Sequence, residues 1–422
     1  MRAIFVPGRI NGSVRVPASK SQAHRALICA ALAGNSRVSG FSYSEDMSAT
    51  LGALKALGAD FDVNPGSGES DGVVTFKDPL KVQEGGSERL IVDCGESAST
   101  LRFMIPFSAA LGRNVRFVGH GRLPKRTTKL YEPLLSANGV RMFYPENGDF
   151  LPLEISGKLS GGEFSLAGDI SSQFVTGMLF ALSVVGSGSI RLTTRLESRP
   201  YAELTVDMLR RFGITIAEDE NSYTVTGGEF RPTDIEVDGD CSQAAFFAVA
   251  AAINGNVTIK GIDPKTRQGD FAVFDIVKRF GGQVTISGDG INVSKGELVA
   301  SDIDASDIPD LVPALAVLAA FSKGDTRIYN AGRLRLKESD RIASTADLIR
   351  SLGGEANETP DGLVISGRKR LSGGFAEAFG DHRIAMAAAV ASVGCIGEVV
   401  VDDMSCTAKS YPDFCRDFRR LF

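Results

Sequence analysis

The sequence predicts an α/β protein of two domains, each assembled from three copies of one repeat. Three observations carry this. Glycine supplies 47 of 422 residues, above ordinary usage, and it recurs at regular places. An amphipathic helix, then Gly, then a strand is found at Gly58, Gly139, Gly213, Gly281 and Gly353, with spacings of 81, 74, 68 and 72 residues. A second series interleaves with it: an Ala-rich helix, a Gly turn and a strand at Gly34, Gly112, Gly186, Gly255, Gly324 and Gly397, spaced 78, 74, 69, 69 and 73 residues apart. The helices of the second series are nearly uncharged beyond their first turn, as in A-A-F-F-A-V-A-A-A-I, and helices apolar all round are buried. The unit is therefore a buried helix, a strand, an amphipathic helix and further strands, used six times. Arrays of such a period form closed or stacked architectures.

Taken in order, the first unit opens at Val16–Gly34. Ser19 suits an N-cap and Gln22 completes a capping box. Ala23, Leu27, Ala30 and Ala31 share one face, and Gly34 suits the stop. Unit two opens with G-E-S-A-S-T-L-R, ending at Arg102, and its second helix follows R-L-P-K-R-T-T. Unit three opens with D-I-S-S-Q-F, and its second helix with S-R-P-Y. Unit four reads as featureless. Unit five gives I-P-D and then R-L-R-L-K-E-S-D-R; unit six gives G-D-H-R and C-T-A-K-S. The final F-R-R-L-F is the amphipathic helix cut short, and its missing strand is expected from the N-terminal A-I-F-V-P. With a break near Gly227–Pro232, the expected domains are 19–228, and 1–18 plus 229–422. Val16–Ser19 and Gly227–Asp238 are then the two crossovers, about which a hinge motion is expected.

A formal net charge of -5 argues against a nucleic-acid scaffold. The longest apolar runs, Ala244–Ile253 and Leu311–Phe321, fall short of the ~18 residues a membrane span needs. The N-terminus runs into a strand-like segment with no signal-peptide apolar core. Six cysteines without C-x-x-C spacing read as free thiols of a cytoplasmic protein. Three histidines, His24, His120 and His382, make no metal-ligand pattern. Neither a P-loop nor a dinucleotide fingerprint is present.

The polar residues that break the repeats gather at helix N-termini. Lys20, Ser21 and Arg25 sit where free N–H groups and the dipole favour an anion. Arg102, Arg122, Lys125, Arg126, Arg335, Lys337, Arg341, Arg383 and Lys409 stand at other helix starts. Helix capping explains single Ser and Asp residues, but it does not explain cations set against the dipole; an anion does. If the N-termini of both domains face one cleft, the pocket suits a substrate with several phosphate and carboxylate groups. Asp310 and Glu338, two acids in that basic setting, have the chemistry of proton transfer.

P-A-S-K-S-Q-A-H-R-A-L, D-I-S-S-Q-F, L-K-E-S-D-R, D-H-R-I-A-M and C-T-A-K-S-Y-P-D-F, in that order on a sixfold repeat, together resemble the 5-enolpyruvylshikimate-3-phosphate synthase family. The resemblance runs from about Val6 to Asp413. It implies two inside-out α/β domains of three βαβαββ units each, with pseudo-threefold symmetry and two crossovers, the site lying in the interdomain cleft. It also implies transfer of the enolpyruvyl group of phosphoenolpyruvate to the 5-hydroxyl of shikimate 3-phosphate, by addition and elimination, on the route to chorismate and aromatic amino acids. No cofactor or metal is implied, and a monomer without nucleic-acid or membrane partners is expected. By motif, Asp310 receives the hydroxyl proton, Glu338 protonates C3 and Lys20 reaches both substrates. Ser21, Arg25, Ser171, Ser172, Gln173, Ser198, Tyr201, Asp310 and Lys337 hold shikimate 3-phosphate. Ala98, Arg126, Gln173, Arg341, Arg383 and Lys409 hold phosphoenolpyruvate, and His382 stands beside Arg383, read as a supporting residue with a proton carrier as the alternative.

One departure stands out. The family's N-A-G-T reads E-S-A-S at Glu96–Ser99, so Ala98 replaces the glycine that lies against phosphoenolpyruvate. One added methyl takes space at a close approach, and weak inhibition by glyphosate, which occupies that place, is the expected result. The alternative activity is the enolpyruvyl transferase acting on UDP-N-acetylglucosamine. It carries Lys-Asn where this chain has Lys20-Ser21, and a reactive Cys where this chain has none between Cys94 and Cys241. An RNA-binding repeat protein is disfavoured by the acidic balance and the absence of Trp. A non-catalytic anion binder would have no use for Asp310 and Glu338.

Overall fold

A computed structural model describes residues 1–66, 72–83, 88–146, 148 and 150–422. Each of the first five repeats is a strand, a buried helix, a parallel strand, a second helix and an antiparallel pair. After β1 (Ala3–Phe5) and β2 (Ile10–Arg15) come α1 (Lys20–Ala33), β3 (Ser36–Phe41), α2 (Glu45–Ala56), β4 (Phe61–Asn64) and β5 (Gly72–Phe76). The second repeat holds β6 (Arg89–Asp93), α3 (Ala98–Ala110), β7 (Asn114–Val118), α4 (Tyr131–Ser136), β8 (Val140–Phe143) and β9 (Leu153–Gly157). The third holds β10 (Glu163–Leu166), α5 (Ser172–Val185), β11 (Gly188–Leu192), α6 (Arg199–Arg211), β12 (Ile214–Glu218) and β13 (Ser222–Gly228). The fourth holds β14 (Ile235–Glu236), α7 (Cys241–Asn254), β15 (Gly255–Lys260), α8 (Ala272–Arg279), β16 (Gln283–Ser287) and β17 (Gly290–Ser294). The fifth holds β18 (Ile303–Asp304), α9 (Val312–Ala320), β19 (Asp325–Tyr329), α10 (Arg341–Ser351), β20 (Glu355–Thr359) and β21 (Gly362–Ser366). The sixth ends the chain with β22 (Gly374–Ala376), α11 (His382–Ala391), β23 (Val399–Val401) and α12 (Phe414–Arg419).

Five sheets repeat one order, exemplified by β6-β7-β9-β8, with β6 parallel to β7 and the rest antiparallel. The sixth has three strands, β22-β23-β1, and β1 pairs antiparallel with β23 through Ala3↔Val401. Two βαβ steps exchange their first strands. β2 precedes α1 yet pairs with β15, Ile10 opposite Gly255. β14 precedes α7 yet pairs with β3, Ile235 opposite Val38. The chain accordingly divides into Ala18–Val237, and Met1–Pro17 with Asp238–Phe422.

That division differs from the sequence expectation of a break after residue 228. Residues 229–237 stay with the first unit for a physical reason. Arg231 N–H bonds Phe212 O at 2.8 Å, Thr233 N–H bonds Ser36 Oγ at 3.0 Å, and Ile235–Glu236 extends the sheet beside β3.

Each unit closes over buried helices. In one, α7, α9 and α11 are apolar on every face, and every residue from Cys241 to Ile253 is buried, as expected for helices without a solvent face. In the other, α3 and α5 approach closely at Gly177, where an added Cβ would fall 2.5 Å from Arg102 O. Pro106 inside α3 has no N–H to give Arg102 O. The Tyr131 hydroxyl from α4 donates to that carbonyl instead, at 2.7 Å, so that acceptor is not orphaned. This bond fixes the backbone beneath a candidate site residue. Among the described residues, no helix is long and apolar enough to cross a membrane.

Candidate active site

In the unit Ala18–Val237, the candidate residues stand on the first turns of α1, α3, α5 and α6. Ser19 caps α1, accepting from Gln22 N–H at 3.4 Å, and Gly34 ends it at φ 62°. Lys20 is the first residue of α1, and its Nζ lies 2.8 Å from Asp46 Oδ2 in the first turn of α2. Asp46, an acid at a helix start, is where the dipole wants one, and it offsets the lysine that opposes the dipole of α1. Arg25 is buried. Its Nε donates to Thr205 Oγ1 at 2.8 Å, Nη1 to Ser21 O at 2.6 Å, and Nη2 to Tyr201 O at 2.7 Å and Thr176 Oγ1 at 3.2 Å. This guanidinium therefore ties α1 to α5 and α6, with one Nη1–H left over. Burial lowers its pKa to about 10, against smaller upward pulls from Tyr201 and Cys29.

Arg102 on α3 reaches the start of α5. Its Nη1 donates to Gln173 Oε1 at 2.8 Å and to Ser171 Oγ at 3.5 Å, and its guanidinium lies 4.8 Å from the Phe174 ring centroid. Gln173 Nε2 returns to Ser99 Oγ at 2.9 Å. Ser171 caps α5, with Ser172 its first residue. Ala98 is the first residue of α3, 6% exposed, after the N-cap Ser97. Ser198 stands at the N-cap of α6 in the left-handed region, φ 57°, with Tyr201 in the first turn. Arg126 is half-buried and closes the short turn at Leu123–Lys125.

The other unit carries the acids. Arg341, the first residue of α10 and 1% exposed, binds three carboxylates. Nε meets Asp381 Oδ2 at 2.8 Å, Nη1 meets Asp310 Oδ1 at 2.9 Å and Nη2 meets Glu338 Oε2 at 2.8 Å. Arg383 Nη2 meets Asp310 Oδ2 at 2.8 Å. Lys337 Nζ stands 3.6 Å from Asp310 Oδ1, and Lys409 Nζ stands 3.9 Å from Glu338 Oε1. The carboxylates of Asp310, Glu338 and Asp381 thus meet the cations Lys337, Arg341, Arg383 and Lys409, leaving one formal positive charge. The Arg341 and Arg383 pairs, at 2.8–2.9 Å, are the strong, geometrically defined hydrogen bonds; the two lysines stand farther off.

Protonation follows from the same contacts. Burial, the largest influence on Asp310, pushes its pKa up, but Arg383, Lys337 and Arg341 together hold it well below the usual carboxylate range. Burial also pushes Lys337 down, to about 8, with Asp310 pulling the other way. Asp381 is held low by Arg341 despite its burial. His382 Nδ1 lies 3.8 Å from Asp381 Oδ1, behind the cluster.

Unit four is not featureless, contrary to the sequence expectation. Asp240 caps α7, accepting from Ser242 N–H at 2.9 Å, Gln243 N–H at 3.1 Å and the Ser242 hydroxyl at 2.7 Å. Ser242 Oγ in turn takes Arg383 Nη2 at 3.3 Å, and Gln243 Nε2 donates to Ser410 Oγ, next to Lys409, at 3.1 Å. The signal was D-C-S-Q, an Asp that suits an N-cap directly ahead of an apolar run.

The chain matches the family model described as EPSP synthase (3-phosphoshikimate 1-carboxyvinyltransferase) over residues 5–418. A 3-phosphoshikimate 1-carboxyvinyltransferase of Clostridium novyi is 39% identical over 99% of this chain and 96% of its own length. One from Clostridium perfringens is 40% identical over 100% and 98%. Among solved structures, an EPSP synthase from Acinetobacter baumannii superposes with a TM-score of 0.80 at 27% identity, covering 100% of this chain and 98% of that one. The enolpyruvyl transferase NikO from Streptomyces tendae shares the fold, with a TM-score of 0.77 at 17% identity. With two capped α/β units, acids held on Arg341, and matches that span its whole length, the chain belongs to the EPSP synthase (3-phosphoshikimate 1-carboxyvinyltransferase) family.

Proposed function

We propose that this chain transfers the enolpyruvyl group of phosphoenolpyruvate to the 5-hydroxyl of shikimate 3-phosphate and releases phosphate. The single observation that carries the reading is the pair Asp310 and Glu338, two acids on one buried guanidinium in a cluster with one formal positive charge in excess. An anion binder needs the cations; only proton transfer needs the acids among them. Whole-length relatives named for the shikimate activity support this substrate over the UDP-N-acetylglucosamine alternative.

In this reading Asp310 takes the proton of the 5-hydroxyl as its oxygen bonds C2 of phosphoenolpyruvate, while Glu338, protonated, gives a proton to C3. The tetrahedral adduct then loses a C3 proton, returned to Glu338, and the C2–O bond to phosphate breaks, the proton held by Asp310 leaving with the phosphate. Charge builds on the departing phosphate, where Lys20, Arg126, Arg341, Arg383 and Lys409 act as fixed cations. Gln173 orients phosphoenolpyruvate beside Ala98. Ser21, Arg25, Ser171, Ser172, Ser198, Tyr201 and Lys337 hold shikimate 3-phosphate, and Arg25 also holds Ser21 and Tyr201 in place through their carbonyls. Every group named comes from one chain, so a monomer suffices, and six free cysteines suit a reducing cytoplasm.

The test is phosphate release with both substrates, and with each omitted in turn. Release only when both are present is expected. Release without shikimate 3-phosphate contradicts the assignment.

A further inference from the structure

Beneath the first cluster runs a line of hydrogen bonds that the reaction above does not use. His24 on α1, Thr50 on α2, Thr100 on α3 and Ser97 at the N-cap of α3 are each at most 1% exposed. His24 Nδ1 lies 2.7 Å from Thr50 Oγ1, which lies 2.7 Å from Thr100 Oγ1. The Thr100 hydroxyl donates to Ser97 Oγ at 2.9 Å, and Thr100 N–H donates to the same oxygen at 3.2 Å. The line lies one turn inward from the Lys20–Asp46 ion pair, because His24 follows Lys20, and Thr50 follows Asp46, by four residues. Helices α1 and α2 are thus bonded at two successive turns, and the inner bond continues to α3.

The direction of the line is determined. Thr100 has one hydroxyl proton and gives it to Ser97, so Thr50 donates to Thr100 and must accept from His24. That requires the proton on Nδ1. His24 Nε2, buried and without a hydrogen-bond partner, is then a bare lone pair; the other tautomer would bury an unpaired N–H, the rarer arrangement. Burial holds the ring neutral, lowering its pKa to about 3, with Asp46 opposing and Lys20 and Arg25 assisting. Ser97 Oγ has both lone pairs filled, so its hydroxyl can only donate.

We infer that His24, Thr50, Thr100 and Ser97 form a directional positioning line that fixes the first turn of α3, and with it the room and donors that Ala98 and Ser99 present to phosphoenolpyruvate. This rests on the function proposed above. Ser99 already takes Gln173 Nε2, so a shift of that turn moves two groups assigned to one substrate.

The test has two arms. Thr100→Val removes the hydroxyl but keeps the shape. It should raise KM for phosphoenolpyruvate about tenfold, the worth of one buried hydrogen bond, while kcat and KM for shikimate 3-phosphate stay within about twofold. Thr100→Ser should restore the wild-type values. Equal change in both KM values, no change, or failure of Thr100→Ser to rescue overturns the inference. The second arm needs no substrate and no variant. Histidine 15N NMR of the wild-type protein should show one ring fixed as the Nδ1–H tautomer from about pH 5 to about pH 9. An Nε2–H tautomer or a titration of that ring in this range overturns it. Absence of any wild-type turnover would instead overturn the proposed function, and the NMR arm would still decide the line.

Discussion

Asp310→Asn separates chemistry from binding more sharply than any other substitution. The carboxylate accepts from Arg341 at 2.9 Å and from Arg383 at 2.8 Å, with Lys337 at 3.6 Å. Asparagine keeps the size and one acceptor oxygen but cannot take a proton. The formal charge of the cluster rises from one to two positive, which favours anion binding. Loss of a general base costs on the order of 10²–10⁴ in rate; a thousandfold loss corresponds to about 4 kcal/mol of barrier. The side chain is 21% exposed, and losing one of its two arginine bonds should destabilise the fold by about 1–3 kcal/mol. Steady-state phosphate release should therefore show kcat down about a thousandfold, with KM for phosphoenolpyruvate unchanged or lower. Denaturant unfolding should remain cooperative. A variant with kcat within about threefold of wild type would refute the assignment of Asp310 as base. A rise in KM with kcat intact would make it a binding residue instead.

Three other outcomes follow from the same geometry. Ala98→Gly removes the methyl at the first residue of α3 and should strengthen inhibition by glyphosate in a titration of activity; unchanged inhibition would make the methyl irrelevant. Lys337 is protonated below about 8 and neutral above it, so kcat/KM should fall as pH rises through about 8, and Lys337→Arg, which stays charged to far higher pH, should move that fall upward. An alkaline limb unmoved by the substitution would assign it to another group. Ser242→Ala removes one Arg383 contact and should raise KM for phosphoenolpyruvate about two- to fivefold with little effect on kcat; an equal loss in kcat would place Ser242 closer to the reaction.

The sixfold repeat was legible because glycine turns and buried, uncharged helices leave periodic marks. The acids Asp310 and Glu338 were legible because they interrupt basic helix starts. Three things were not. The unit boundary was misplaced because Ile235–Glu236 is too short a strand to leave an alternation; its place is set by β3, nearly two hundred residues earlier. The acceptors of Arg25, Thr176 and Thr205, could not be read because they lie on distant helices and are ordinary residues there. Lys20 looked unopposed because Asp46 belongs to the next helix. In each case a long-range partner decided what a local pattern could not.

The central claim is that Glu338 protonates and deprotonates C3 of phosphoenolpyruvate while Asp310 takes the hydroxyl proton. Turnover in deuterium oxide tests it directly, with the methylene of the enolpyruvyl product read by NMR. Protonation at C3 passes through a methyl group carrying one deuterium, so the product methylene should be enriched in deuterium, and Asp310→Asn, whose turnover is slowed, should slow its appearance. Phosphate release with a product methylene free of deuterium would contradict the account.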